Sequence, residues 1–79
     1  MPRFYFHLHN DFDVPDHEGL VLPDLEAAVT HAASEARTLA GELIKEQGRV
    51  VLHHRIDIED EHETLLSTVQ FRDVVQVEP

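Results

Sequence analysis

The chain has 79 residues, of which sixteen are acidic, six are basic and seven are histidine; it has no cysteine, and its formal net charge is −10. A chain of this length closes around one small core, so residues 1–79 are expected to form a single domain whose stability depends on a well-packed helix-on-sheet interface, a partner or a metal. The negative charge opposes binding to nucleic-acid phosphates and to anionic membranes. The absence of cysteine excludes disulfides and thiolate metal sites.

The apolar segments of the chain are short. The longest runs, such as Val50-Val51-Leu52, have only a few residues, and the N-terminus shows strand-like alternation where an export signal would be apolar. The sequence therefore predicts a cytoplasmic protein, with neither a nucleic acid nor a membrane as its partner.

The first predicted element is a half-buried strand over residues 3–9, because apolar and polar side chains alternate there. The apolar face comprises Phe4, Phe6 and Leu8, and the opposite face comprises Arg3, Tyr5, His7 and His9. Residues 10–19 are rich in Asp, Asn and Pro and predict a turn-rich loop that ends at Gly19. The following residues, Leu20–Leu22, are expected to pair back on the first strand.

A helix of about 23 residues is predicted next, with Asp24 as its N-cap and Gly48 as its C-terminal stop. Apolar residues at spacings of three and four predict its buried stripe, which comprises Leu25, Val29, Ala32, Ala36, Leu39, Ala40 and Leu43. Gly41 lies on the opposite face, where either the close approach of a partner or tolerance of a surface glycine explains it.

A β-hairpin is predicted after the helix. Its first strand alternates from His54 to Glu59, its turn is the acidic segment 60–63, and its second strand runs from Thr64 to Phe71. The tail after Phe71 is consistent with either a helical turn or a frayed strand. The order β-β-α-β-β predicts an α+β fold in which one long helix covers one face of a mostly antiparallel sheet of three or four strands.

Three segments resemble a family of short bacterial proteins, frequent in alphaproteobacteria, that is known as a domain of unknown function. They are PRFYFHLHND, then DHEGLVLPDLEAA at the helix start, then RIDIEDEHETLLSTVQF. The run from Gly19 to Ala28 is the most specific piece. The resemblance implies the same order of elements, but it implies no activity, cofactor or catalytic residue.

A metal site is one hypothesis for the first strand. His7 and His9 project from the same strand face, and Asp11 shares their parity if the strand extends that far. Two imidazoles and one carboxylate are ligands typical of zinc or ferrous iron. The simpler interpretation is a solvent-facing strand in a chain rich in histidine. His53 and His54 are adjacent and cannot chelate together from a strand, and His54 is expected to be partly buried.

Catalysis is the least expected class of function. The chain has no evident activated nucleophile and no glycine-rich phosphate loop, and the acidic loop after Asp11 lacks the glycine and glutamate that an EF-hand requires. No cofactor is expected.

The leading hypothesis is a protein-interaction or self-associating module, either a homo-oligomer or a domain that binds another protein. One helix covers only one face of the sheet, so the other face is left for a partner. The expected contact residues are Arg3, Tyr5, His7, His9 and Arg55. Divalent-metal binding through His7, His9 and Asp11 is the alternative.

Overall fold

Five strands and one long helix make up the structure, a computed structural model that describes residues 1–79. The elements are β1 (Arg3–His9), β2 (Asp13–Val14), β3 (Leu20–Val21), α1 (Leu25–Gln47), β4 (Arg55–Glu59) and β5 (Leu65–Gln70), followed by a 3-10 turn at Phe71–Asp73. This arrangement confirms the predicted α+β fold. The short strand β2 lies inside the segment predicted as a loop, and the tail begins with a helical turn.

The sheet is antiparallel throughout, in the order β2-β1-β4-β5, with β3 also paired to β1. Strand β1 therefore has β4 along one side and the two short strands β2 and β3 along the other. Phe6 pairs with Ile58 and Leu8 pairs with Ile56, so the apolar faces of β1 and β4 coincide. This shared face lies under the helix.

Local capping sets both ends of the helix. The carboxylate of Asp24 accepts a hydrogen bond from the backbone N–H of Ala27 at 2.8 Å. At the other end Gly48 has a φ of 68°, and its N–H donates to the carbonyl of Ile44 at 2.8 Å. The predicted helix boundaries are confirmed.

The buried line of the helix consists of alanines spaced four residues apart: Ala28, Ala32, Ala36 and Ala40. The predicted stripe is therefore partly wrong, because Leu25 is 39 % exposed in the first turn, and Val29, Leu39 and Leu43 are only half-buried. Alanine side chains are short, so they let the helix backbone lie close to the sheet, and the larger side chains flank the contact.

The sheet supplies the large side chains of the core, which are Phe4, Ile56, Ile58, Val69 and Phe71. Phe6 packs against this cluster but is only half-buried, and its ring meets the ring of His31 edge-on at 4.8 Å. Phe71 is 2 % exposed, so the residue directly after β5 is among the most deeply buried in the protein.

We expect Phe71→Ala to lower the free energy of unfolding by about 3–5 kcal/mol, since it removes a fully buried ring and leaves a cavity. Phe12→Ala is the matched control, because Phe12 is 78 % exposed and its loss should change the stability by less than about 0.5 kcal/mol. Urea unfolding followed by circular dichroism measures both. Equal effects of the two variants would contradict this description of the core.

Gly19 and Gly41 are expected to respond in opposite directions to substitution by alanine. A Cβ at Gly19 would lie 2.9 Å from the carbonyl oxygen of Phe4 and 2.9 Å from Cε1 of Tyr5, at a φ of 69°. A Cβ at Gly41 meets nothing within 4 Å. Gly19→Ala should therefore lower the free energy of unfolding by more than about 1 kcal/mol. Gly41→Ala should raise it by up to about 1 kcal/mol. Thermal melts of the two variants test this pair, and destabilisation by Gly41→Ala would indicate a contact at that position.

Candidate functional site

The sheet face opposite the helix forms a cleft of about 520 Å³. Tyr5, His7 and His9 of β1 line it. One wall is the loop segment 13–17, and the other is the end of β4 with the turn that follows it. The uncovered face predicted from the sequence is thus a walled cleft rather than a flat sheet surface.

Asp16 attaches the loop wall to β1. One carboxylate oxygen accepts the backbone N–H of Phe6 at 3.1 Å, and the other accepts the N–H groups of Glu18 and Gly19, each at 3.1 Å. On the side of β1 away from β4, no strand pairs with Phe6, which lies between the pairings of β1 with β3 and with β2. The carboxylate therefore replaces a strand partner at this position.

Burial raises the pKa of Asp16, but the hydrogen bonds from Gly19, Phe6 and Glu18, together with the nearby His7, outweigh it and hold the pKa below its ordinary value of 3.8. The carboxylate is consequently ionised near neutral pH.

His7 is oriented by the same loop. Its Nδ1 accepts the backbone N–H of Asp16 at 3.0 Å, so in the neutral ring the proton lies on Nε2. Nε2 is 3.4 Å from a carboxylate oxygen of Glu59. The ring thus bridges the loop and β4 across the floor of the cleft.

His9 lies between two carboxylates. Its Nδ1 is 2.8 Å from Asp13 Oδ1, and its Nε2 is 3.2 Å from Asp57 Oδ2. The other oxygen of Asp57 accepts a hydrogen bond from the hydroxyl of Thr68 at 2.9 Å. The ring of His9 therefore lies between a carboxylate of β2 and a carboxylate of β4.

The lining of the cleft carries an excess of negative charge. It includes no lysine or arginine, and its six carboxylates are those of Asp13, Asp16, Glu59, Asp60, Glu61 and Glu63. Hydrogen bonds from the N–H groups of Thr64 and His62 hold the pKa of Asp60 below its ordinary value. The cleft is therefore complementary to a cation and unfavourable to an anion.

Two of the five predicted contact residues do not line the cleft. Arg3 donates from Nη1 to the carbonyl of Glu18 at 2.8 Å, and Nε of Arg55 lies 3.3 Å from Asp57 Oδ1. Both guanidinium groups therefore contact the chain itself, whereas Tyr5, His7 and His9 all line the cleft.

Asp11 lies apart from His7 and His9. Strand β1 ends at His9, so the parity that would align Asp11 with the two histidines does not extend to it. Its carboxylate lies 3.5 Å from Arg49 Nη2 and 3.6 Å from Nε2 of His54. No group of three or more His, Cys, Asp or Glu side chains is arranged to hold a metal ion.

His54 is 4 % exposed, so it is buried more deeply than the partly buried position predicted for it, and its Nε2 is buried without a hydrogen-bond partner. Its ring meets the ring of Phe71 edge-on at 5.6 Å. His54 therefore belongs to the core beneath the acidic loop rather than to the cleft.

Sequence reasoning missed Asp16 and Glu59 as partners of His7. The sequence places Glu59 only at the end of the first hairpin strand, and the pairing of Tyr5 with Glu59 and of His7 with Asp57 brings it beside the imidazole. Asp16 contacts a residue ten positions earlier in the chain. The only signal for it was the density of Asx residues before Gly19, which predicted turns but no contact with β1.

Residues 3–72 match the family described as Domain of unknown function (DUF6894). The chain belongs to this family. The match spans the sheet, the helix and the cleft residues, in agreement with the resemblance found in the sequence. No curated protein and no solved structure matches the chain. No helix of this DUF6894 domain has the length and apolar character that crossing a membrane requires.

Asp16→Asn tests whether the carboxylate supports the loop wall. Because the pKa of Asp16 is lowered in the folded protein, its ionised carboxylate contributes to stability. This contribution is fully present above the pKa of an unfolded aspartate, about 3.9, and it is lost as the pH falls through the lower pKa of the folded state. The variant should therefore be less stable than wild type at pH 7, and the difference should shrink below about pH 4.

Asp24→Asn is the control for this prediction, because asparagine also caps helices well and the cap uses one oxygen of Asp24. Urea unfolding at several pH values measures both variants. A stability loss for Asp16→Asn that stays constant from pH 7 to pH 3 would contradict the role of the ionised carboxylate.

Proposed function

We propose that this domain is a protein-interaction module whose cleft binds a basic segment of another protein. The observation that carries the proposal is the lining of the cleft, which has a volume of about 520 Å³ and includes six acidic residues but no lysine or arginine. A lysine or arginine side chain entering the cleft gains from this field, whereas an acidic or phosphorylated segment is repelled.

The aromatic floor supports a side chain as the ligand. Tyr5 is half-buried at the base of the cleft, and tyrosine contributes strongly to binding at the centres of protein interfaces. A guanidinium or ammonium group above its ring would gain a cation–π contact in addition to the carboxylates. Val14 and Pro15 of the loop wall supply apolar surface for the aliphatic part of such a side chain.

The open shape of the cleft favours a chain segment over a small metabolite. Only two of its twelve lining residues are hydrophobic, whereas sites for small molecules are mostly apolar and enclosed. A second copy of this chain is disfavoured at this face, because each copy has a net charge of −10 and would bring the same carboxylates against each other.

The test is titration of ¹⁵N-labelled protein with a nine-residue peptide of alternating arginine and glycine, with a glutamine-for-arginine peptide as the neutral probe. The basic peptide should shift the amide signals of Tyr5, His7 and Glu59, and its affinity should fall as salt is raised. The double variant Glu61→Gln, Glu63→Gln should weaken binding by about tenfold, since each carboxylate contributes on the order of 1 kcal/mol or less at such a site.

The matched control is Glu42→Gln, Glu46→Gln on the exposed helix surface, which changes the net charge equally and should weaken binding less than about twofold. Equal losses in the two double variants would show nonspecific attraction and overturn the proposal. The proposal would also be overturned if zinc alone shifted the signals of His7 and His9 and the basic peptide shifted none. That result would favour metal binding.

A further inference from the structure

A second pocket, of about 270 Å³, lies between the last turns of α1 and the loop that joins β1 to β2. The loop contributes Asp11 to its lining, and the helix contributes Glu42 and Glu46, which lie one turn apart on the same helix face. His54, the residue directly before β4, lines the same pocket. No lysine or arginine lines it. The second pocket therefore brings one imidazole together with three carboxylates.

The core fixes the position of His54. Its backbone N–H donates to the carbonyl of Val51 at 3.3 Å, and its carbonyl accepts the N–H of Phe71 at 2.8 Å. Its ring meets the rings of His53 and Phe71 edge-on. The imidazole is therefore held in place by contacts that lie outside the acidic loop.

Nε2 of His54 is buried and has no hydrogen-bond partner, which costs free energy in a folded protein. Oδ1 of Asp11 lies 3.6 Å from it, which is too far for a hydrogen bond. The other carboxylate oxygen, Oδ2, lies 3.5 Å from Nη2 of Arg49. Asp11 thus presents one oxygen to the arginine and the other to the imidazole.

The separation of Nε2 and Oδ1 suits a metal ion bound between them. Zinc binds imidazole nitrogen and carboxylate oxygen at about 2.0–2.2 Å, so two ligands of one tetrahedral ion lie about 3.4 Å apart. The observed distance of 3.6 Å is close to this value. An organic cation is larger, and it could reach Nε2 only by displacing Asp11, because Nε2 is buried. The geometry therefore favours a metal ion over an organic cation.

Asp11 and His54 are two ligands in place, and no third side chain is arranged with them. The third ligand has to come from α1. Glu42 and Glu46 are exposed, so either side chain can turn into the second pocket without losing a buried contact. One imidazole, two carboxylates and water form a ligand set that zinc accepts. Because one ligand has to move, we expect weaker binding than at a site with all its ligands in place.

We propose that Asp11 and His54, together with Glu42 or Glu46, bind a divalent transition-metal ion such as zinc in the second pocket. The bound ion gives Nε2 of His54 a partner and joins the acidic loop to the core and to α1. This site contains neither His7 nor His9, so it is separate from the cleft that binds the basic segment.

The test is titration of metal-free protein with zinc, followed by calorimetry and by long-range ¹H–¹⁵N spectra of the histidine side chains. Zinc should shift the Nε2 signal of His54 and raise the melting temperature, since the ion binds the folded state. Asp11→Asn should weaken binding by at least about tenfold, because it removes one of the two ligands in place. The Asp11 side chain is 62 % exposed, so this variant keeps the fold.

Asp13→Asn is the matched control in the same loop, because Asp13 is 83 % exposed and contacts His9 instead of His54. It should bind zinc at His54 like wild type. Equal affinities of wild type and Asp11→Asn would overturn the proposal. A shift of His7 and His9 without a shift of His54 would show an adventitious ion only, and it would overturn the proposal without the use of any variant.

The helix ligands are tested with the two double variants of the peptide titration. Glu42→Gln, Glu46→Gln should weaken zinc binding at His54 by at least about tenfold, whereas Glu61→Gln, Glu63→Gln should change it by less than about twofold. Their effects on zinc are thus opposite to their effects on the basic peptide, so failure of one proposal is distinguishable from failure of the other. Equal effects of the two double variants on zinc would contradict a ligand from α1.

Discussion

The carboxylate of Asp16 holds together the features that distinguish this domain from a plain helix-on-sheet fold. It accepts the N–H of Phe6, where the outer side of β1 has no strand partner, and it also accepts the N–H groups of Glu18 and Gly19 in the following turn. The backbone N–H of the same residue orients His7. One residue thus closes an edge of the sheet, forms a wall of the cleft and sets an imidazole on its floor. Without it, β1 would have an unpaired N–H beside an unattached loop.

The helix was predictable from the sequence because the interactions that end it are local. Asp24 caps the third residue after it, and Gly48 takes up the left-handed conformation that glycine favours. The faces of β1 were predictable because only one parity puts Phe4 and Leu8 beneath a helix. The depth of burial along the helix was less predictable, because spacing alone does not rank the members of an apolar stripe. The most deeply buried helix residues are alanines, since their short side chains let the helix lie close to the sheet.

The candidate site depends on contacts that no local pattern encodes. Whether Glu59 reaches His7 is decided by the register of β4 against β1, and a one-residue shift would send Glu59 to the helix side. The path of the chain after His9 decides whether Asp11 joins the two histidines, and it leads Asp11 to Arg49 and His54. The alternation of β1 therefore predicts that Tyr5, His7 and His9 share one strand face, whereas the walls of the cleft depend on the fold.

The proposed interaction depends on negative charge that the fold gathers around two imidazoles. Asp13 of β2 and Asp57 of β4 contact opposite nitrogens of His9. The backbone N–H of Asp16 and the carboxylate of Glu59 contact opposite nitrogens of His7. The two histidines of β1 therefore join the acidic loop wall to β4. A basic segment bound in the cleft would meet acidic residues of both walls at once, whereas a second copy of the chain would bring the same carboxylates against each other.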